Sequence, residues 1–277
     1  MNAFTAADQM PKPPLISLAH LTVLDADPIT LIDSAAAAGF DAIGLRIVPP
    51  LATDSIIPVI GDLPLQRQIK ARMRDTGVGI FDVEAVWLMP HVDVAALLPA
   101  LDCAADLGAR FVLTVGHDPD WHRLQDNFAA LCAAALARKL RVMLEFIPYA
   151  ACASLVEAHR LLAASAVSAG LLVDALHLSR SGASPLDIRG YEPQLFSYMH
   201  LCDAPELAPA AEGLRDEARG GRLFPGEGGL PLKAFMAAFP TGTPIAIEAP
   251  SRALSRLPAK ERASRAMAAT RRLLSSF

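Results

Sequence analysis

Short apolar runs alternate along the chain with longer stretches whose apolar residues recur at helical spacing. Brief apolar runs bounded by polar or turn residues are typical of buried parallel strands. The pattern predicts eight strands, at residues 15–20, 42–48, 79–87, 111–116, 141–146, 171–176, 198–203 and 244–248. In the third of these, strict alternation places Glu84 and Val86 on one face, and we expect Glu84 to point into the mouth that a closed sheet would form.

The stretches between the strands predict helices, and several carry start and stop signals. Asp27 is a good N-cap and Gly39 a C-terminal stop for one of them, while Pro99 and Gly108 bracket another. The predicted helices span residues 28–38, 65–76, 98–107, 121–139, 154–169, 185–189, 230–239 and 260–275.

Alternating strands and helices predict a parallel sheet with right-handed crossovers. Eight such units close naturally into a single (β/α)8 TIM barrel, and 277 residues suit a fold that typically takes about 250. We therefore predict one barrel over residues 15–277, preceded by a flexible N-terminal extension at 1–14. An open doubly wound sheet is the alternative, but it usually shows a glycine-rich phosphate loop after an early strand, which this sequence lacks.

Composition narrows the possible partners and compartment. Charged residues make up 19% and the net charge is −4, so we expect no nucleic-acid partner, which would require a basic surface. No apolar run reaches the length of a membrane span, and no secretory signal pattern opens the sequence. The four cysteines are scattered, as in reduced cytoplasmic proteins. We expect a cytoplasmic protein without a membrane partner.

In four consecutive predicted strands, apolar residues lead up to a residue of metal-ligand type at or near the strand end, namely Glu145, Asp174, His200 and Glu248. A parallel barrel gathers its strand ends on one face, so these side chains are expected to converge. Three carboxylates and one imidazole suit a divalent cation. The alternative interpretation is a set of buried ion pairs that holds the barrel rim together.

Several segments carry a resemblance to a known family: LEFIP at 144–148, VDALH at 173–177, MHLCD at 199–203, FPGEG at 224–228 and IE at 247–248. They resemble the xylose isomerase-like barrel superfamily, in particular its sugar phosphate isomerase/epimerase branch. That branch includes inosose isomerases, inosose dehydratases and ketose 3-epimerases. The stretch after His200 lacks the arginine that is usual in ketose 3-epimerases, so the inosose-related members are the better match.

The resemblance implies one divalent metal, with Mn²⁺ expected first and Mg²⁺, Co²⁺ or Zn²⁺ as alternatives, held by residues matching Glu145, Asp174, His200 and Glu248. It also implies that Glu145 and Glu248 act as catalytic proton carriers on a small polyhydroxylated carbonyl substrate. An isomerase or epimerase working through an enediolate is the first expectation. Similar proteins often form homodimers or homotetramers.

Other functions stay open. The same intermediate can expel a β-hydroxyl group, which would make the protein a dehydratase of inosose or dehydroshikimate type. A non-catalytic sugar-binding or complex subunit is a further alternative. The superfamily also includes apurinic-site endonucleases, which the net negative charge and the single metal-type histidine at these strand ends disfavour.

Further residues are predicted to contact substrate. His177 is placed just past Asp174, Arg222 precedes the FPGEG loop, and Arg46 is a candidate clamp on a substrate oxygen or carboxylate. Glu84 and His117 complete the predicted set. Structural roles are the alternatives: a rim hydrogen bond for His177, a surface loop position for His117, and an ion pair between Arg46 and Glu84. Asp203 is expected to support the site without binding the metal.

Overall fold

Eight parallel strands form a closed barrel in chain order in the computed structural model, which describes residues 13–50, 54 and 56–277. This confirms the predicted single (β/α)8 barrel. Residues 1–12 of the predicted extension lie outside the described part. The strands are β1 (Ile16–Leu18), β2 (Ala42–Arg46), β3 (Gly79–Leu88), β4 (Phe111–Gly116), β5 (Arg141–Glu145), β6 (Gly170–Asp174), β7 (Met199–Leu201) and β8 (Ile245–Ile247).

Helices surround the barrel and follow the capping signals of the sequence. The Asp27 side chain accepts the N–H groups of Ile29 and Thr30, and Gly39 ends the first helix with a φ of 83°. The helices are α1 (Pro28–Ala38), α2 (Leu63–Thr76), α3 (Leu98–Asp106), α4 (Trp121–Leu136), α5 (Leu155–Ser165), α6 (Ala175–Arg180), α7 (Pro185–Ile188), α8 (Leu214–Gly220), α9 (Leu232–Met236) and α10 (Ala259–Leu274). None in the described ranges is long and apolar enough to cross a bilayer.

Two of these helices, α6 and α8, were not predicted. The sixth strand was expected to run to residue 176, but β6 ends at Asp174. The Asp174 side chain accepts the N–H of His177 and thereby caps α6. The helix therefore begins directly after the strand. Leu214–Gly220 is only seven residues long and too short to show a clear helical period.

The apolar residues form two layers, one between strands and helices and one inside the barrel. In β5, Leu144 belongs to the outer layer and Met143 to the inner one. Because neighbours along a strand point to opposite faces, Glu145 points inward. The same alternation holds in β6 to β8, so one regular pattern directs all four ligand-type residues to the interior. The inner layer also contains Phe81, Phe111, Leu172, Tyr198 and Ala246.

Strand β3 departs from strict alternation. Its pairing register shifts between Ile43 and Gly44 against β2, and between Val83 and Val86 against β4. Val86 packs in the outer apolar layer, whereas Glu84 pairs with Arg46. The expectation that Glu84 and Val86 share a face is therefore wrong, because a bulge turns successive side chains away from the regular pattern.

The FPGEG loop is fixed by Asp203, which follows β7. Its carboxylate accepts the backbone N–H groups of Ala204 at 2.9 Å, Gly226 at 3.0 Å and Leu230 at 3.0 Å. Asp203 thus holds the loop by hydrogen bonds. It also lies outside the cluster of metal-type ligands.

The loop leaves no room for a side chain at Gly228. A Cβ there would lie 2.3 Å from the carbonyl oxygen of Ala204 and 2.5 Å from Asp203 Oδ1. We expect Gly228→Ala to lower the free energy of unfolding by about 1–3 kcal/mol, because the clashing partner is backbone. Urea denaturation monitored by circular dichroism measures this.

Gly79→Ala is the matched control, since a Cβ at that position would meet nothing within 4 Å beyond its chain neighbours. We expect it to change stability by less than about 0.5 kcal/mol. Equal stability of the two variants would contradict this account of the loop.

Candidate metal centre

Glu145, Asp174, His200 and Glu248 meet inside the barrel, at the ends of β5 to β8. Each offers one ligand atom, and these atoms lie within 4.8 Å of one another. His200 Nδ1 is 3.6 Å from Glu145 Oε1, 3.6 Å from Glu248 Oε2 and 3.9 Å from Asp174 Oδ2. All four residues are buried. The predicted convergence of these side chains is thus present.

The donor set fits a divalent cation. Among the described residues, Glu145 Oε1 and both ring nitrogens of His200 are buried without a hydrogen-bond partner. Unpaired buried polar atoms are rare and costly, and the 3.6 Å separations exceed hydrogen-bond length. A cation among these atoms would engage them together. Three carboxylates and one imidazole suit Mn²⁺, Mg²⁺ or Zn²⁺ better than a cation that prefers thiolates.

Burial and the charges of neighbouring groups shift the pKa values of the residues in the cluster. Burial, reinforced by the charges of Glu248 and Asp174, raises the pKa of Glu145 well above its usual range. Burial opposes the charging of His200, but Glu248, Glu145 and Asp174 outweigh it and raise its pKa to about 10. For Glu248, burial is outweighed by Arg222 and His200, which lower its pKa.

Arg222 compensates the negative charges of Asp174 and Glu248. It is fully buried and donates to Asp174 Oδ2 at 2.6 Å, while its other terminal nitrogen lies 3.0 Å from Glu248 Oε2. It also donates to the carbonyl oxygens of Ala218 at 2.8 Å and Glu248 at 3.0 Å. Arg222 thereby holds two ligand-type carboxylates in place, and its predicted contact with substrate stays a prediction.

A cavity opens above the cluster, with an empty volume of about 570 Å³. Glu145 and Glu248 line it, whereas Asp174 and His200 lie outside its lining. The cavity wall also contains Arg46, Trp87, Tyr149, His177, Arg215, Arg219 and Arg222. Sequence reasoning missed Tyr149, Arg215 and Arg219; the two arginines belong to α8, whose short span left no periodic signal.

His177 lies in the first turn of α6 and lines the cavity. It therefore stands on a helix that begins at Ala175, where the sixth strand was expected to continue to residue 176. Its ring is 6.0 Å from that of Tyr149, and its Nε2 is 3.4 Å from Arg222. Burial lowers the pKa of His177 to about 4, which keeps the imidazole neutral at physiological pH.

Arg46 and Glu84 form the expected pair, but loosely, with 3.7 Å between Arg46 Nη2 and Glu84 Oε2. Glu84 also accepts the N–H of His20 at 3.2 Å. Arg46 lines the cavity and Glu84 does not. Burial and the neighbouring Asp82 raise the pKa of Glu84 to about 8.

Asp82 is a buried carboxylate that sequence reasoning missed. It accepts the hydroxyl of Tyr198 at 2.7 Å. Burial raises the pKa of Asp82 to about 6, although His200 acts in the opposite direction. The available signal was a second acidic residue, two positions before Glu84, in a strand whose other residues are apolar or glycine.

His117 lies beside the cavity wall without lining it. Its Nδ1 accepts the N–H of Ala151 at 3.2 Å, and its ring packs edge-on to Trp87 at 5.3 Å. These contacts orient Trp87, which does line the cavity. The predicted contact of His117 with substrate stays a prediction.

Metal binding should release protons. Without a cation, His200 holds a proton at neutral pH because its pKa is raised to about 10, and it must lose that proton to bind metal. We expect about one proton released per Mn²⁺ ion at pH 7, and an affinity that rises with pH as protons compete less. Calorimetry in buffers of different ionisation enthalpy measures both.

His122→Gln, an exposed change on α4, is the control and should leave proton release unaltered. An Mn²⁺ affinity independent of pH, with no proton release, would contradict the charge states derived for the cluster.

Comparison with known proteins agrees with this architecture. The sequence matches the family described as xylose isomerase-like TIM barrel over residues 32–273. No curated protein sequence matches the chain at a significant level.

Solved structures share the fold at low sequence identity. The IolI protein with a bound zinc atom is 16% identical with a TM-score of 0.76, over 97% of this chain and 99% of that one. A probable 3-DHS dehydratase, AsbF, from Bacillus anthracis is 13% identical with a TM-score of 0.72, over 92% and 98%. A D-allulose 3-epimerase from Methylomonas sp. is 16% identical with a TM-score of 0.67, over 95% and 99%.

One similar structure is much longer than this chain. It is a fusion of a xylose isomerase-like TIM barrel with 4-hydroxyphenylpyruvate dioxygenase, 20% identical with a TM-score of 0.75. The alignment covers 95% of this chain but only 44% of the fusion protein. At such identities structural likeness shows the fold alone, whereas the sequence match spans most of the chain. The chain belongs to the xylose isomerase-like TIM barrel family.

Proposed function

We propose that the protein is a divalent-metal-dependent isomerase or epimerase of a small polyhydroxylated carbonyl compound. One observation carries the proposal: of the four clustered ligand-type residues, only the two glutamates line the cavity. Asp174 and His200 lie outside its lining and are suited to hold a cation alone. Glu145 and Glu248 are suited to hold the cation and also to face a substrate.

The cation would be held by Glu145, Asp174, His200 and Glu248. When bound, it supplies Lewis acidity, which makes a carbon next to a carbonyl group more acidic. We propose Mn²⁺, because the donor set is rich in carboxylate oxygens. Zn²⁺ is the alternative, since the structurally similar IolI protein contains zinc.

The two glutamates would move the proton. One carboxylate removes a proton from the carbon next to the carbonyl, and the other returns a proton to the neighbouring carbon or to the opposite face. Positioned acid–base groups of this kind contribute about 10²- to 10⁴-fold each. The neutral His177 and the loosely paired Arg46 lie in the same cavity wall and would orient the hydroxyl groups of the substrate.

Dehydration is the second candidate. Removal of the same proton followed by loss of a β-hydroxyl group would give an unsaturated ketone, and the barrel shares its fold with a probable 3-DHS dehydratase. A non-catalytic sugar-binding subunit would not require two cavity-lining glutamates beside two further metal-type ligands. The net charge of −4 favours a small molecule over a nucleic acid, which would require a basic surface.

The test uses protein that is stripped with a chelator and then reloaded with Mn²⁺. It is incubated in deuterated water with an inosose and with a panel of ketoses. Nuclear magnetic resonance detects deuterium uptake, and ultraviolet absorption detects an unsaturated ketone. We expect metal-dependent deuterium uptake without new absorption. New absorption would favour dehydration, and neither signal with any polyol ketone would refute both activities.

The glutamate variants test the assigned roles. We expect Glu145→Gln and Glu248→Gln to slow deuterium exchange by about 10²-fold or more, because each removes a proton carrier. Elemental analysis of each variant separates this effect from loss of bound Mn²⁺. Glu192→Gln, at an exposed position away from the cavity, is the control and should exchange like the parent protein. Full exchange in either cavity variant would refute the assignment.

A further inference from the structure

Four arginines face the cavity above the metal centre, and their charges are balanced very differently. Arg46 comes from β2, Arg215 and Arg219 from α8, and Arg222 follows that helix. The carboxylates in the cavity wall are Glu145 and Glu248, both part of the ligand cluster. The wall therefore carries more cations than its own anions neutralise.

Two of these arginines already have strong partners. Arg222 pairs with Asp174 at 2.6 Å and with Glu248 at 3.0 Å. Arg219 pairs with Asp54 at 3.0 Å. Neither guanidinium is available to neutralise a further negative charge without breaking a pair.

Arg46 is buried but poorly compensated. Its side chain is only 7% exposed, and its one ion pair with a described residue, Glu84, spans 3.7 Å. Its Nε is buried and has no hydrogen-bond partner among the described residues. A buried guanidinium normally satisfies its donors and its charge. Glu84 is an incomplete counterion, because burial and Asp82 raise its pKa to about 8.

Arg215 is the second available cation. It is exposed at the mouth of the cavity and makes no hydrogen bond or ion pair within the part of the chain that the structure describes. It therefore differs from its neighbour Arg219, which lies one turn along the same helix and is paired. The cavity thus has one poorly compensated cation in its wall and one unpaired cation at its rim, among the described residues.

We propose that Arg46 and Arg215 bind an anionic oxygen group of the substrate, a carboxylate or a phosphate, while the hydroxylated carbonyl end reaches Glu145 and Glu248. The planar fork of a guanidinium matches both anions and binds them more strongly than it binds neutral hydroxyls. This inference rests on the proposed function for the second half of the arrangement. It makes the substrate an acid or phosphate ester of a polyhydroxylated carbonyl compound, and not a neutral sugar.

Three matched sugars test the inference: glucose, glucuronate and glucose 6-phosphate, which differ only at the sixth carbon. Binding to the Mn²⁺-loaded protein is measured by calorimetry at low ionic strength. We expect at least one anionic sugar to bind about tenfold or more tightly than glucose, as one charge-assisted contact provides. The tighter of the two identifies the group as carboxylate or phosphate.

Variants locate the site. Arg46→Gln and Arg215→Gln should each reduce the preference for the anionic sugar about tenfold, with little change for glucose. Arg215 is exposed, so its variant remains informative even if Arg46→Gln folds poorly. Arg252→Gln is the control, because Arg252 is exposed, pairs with Asp216 and lies outside the cavity; it should keep the full preference.

Equal binding of the three sugars, or a preference that is unchanged in the Arg215→Gln protein, would overturn the inference. So would the absence of binding by both anionic sugars up to about 50 mM.

Failure of the proposed function is distinguishable, because it would appear as sugar binding and deuterium exchange that do not respond to Mn²⁺. Failure of the present inference would leave metal dependence intact and remove only the preference for charge.

Discussion

The burial of three carboxylates at one end of the barrel is the constraint on which the rest of the site depends. Taking a charge out of water is expensive unless it is paired. Here Glu145, Asp174 and Glu248 lie around one imidazole, within reach of a single ion. Arg222 balances part of this charge by pairing with Asp174 and Glu248. What remains is balanced by protons or by a cation, which makes the cluster responsive to both.

The half of the barrel that carries the ligands is the half that the sequence predicted well. In β5 to β8, successive side chains alternate between the outer and the inner layer, and a ligand-type residue lies at or beside the end of each strand. The barrel closes in chain order, as expected from eight repeats of strand and helix. Convergence of Glu145, Asp174, His200 and Glu248 followed from topology alone.

The rest of the site could not be predicted from the sequence, for identifiable physical reasons. Register shifts in β3 break the alternation that would have placed Glu84, and they leave Asp82 inside against Tyr198. Helix α8 is too short for a periodic signal, so its two cavity-facing arginines were not found. The end of β6 depends on a side chain, because the Asp174 carboxylate starts a helix where an apolar run continues in sequence. Irregular backbone and local helix capping are therefore the features that could not be predicted from this sequence.

Closely packed polar residues continue beneath the ligand cluster. A Cβ at Gly44 would lie 2.2 Å from Glu84 Oε1 and 2.7 Å from Asp82 Oδ1. The carboxylates of Glu84 and Asp82 thus occupy the space that a side chain at position 44 would fill, and only glycine leaves that space free. Burial is the main cause of their raised pKa values, because it disfavours the charged form, and the charge of Asp82 raises the pKa of Glu84 further.

The two oxygens of Asp174 have different partners. Oδ1 accepts the N–H of His177 and begins α6, whereas Oδ2 meets Arg222 and faces His200. Folding and chemistry thus share one side chain but use separate atoms of it. An amide in place of the carboxylate would retain an oxygen for the helix and lose the charge, while a methyl group would lose both. The local fold and the metal centre therefore constrain this position independently, and only aspartate satisfies the two demands together.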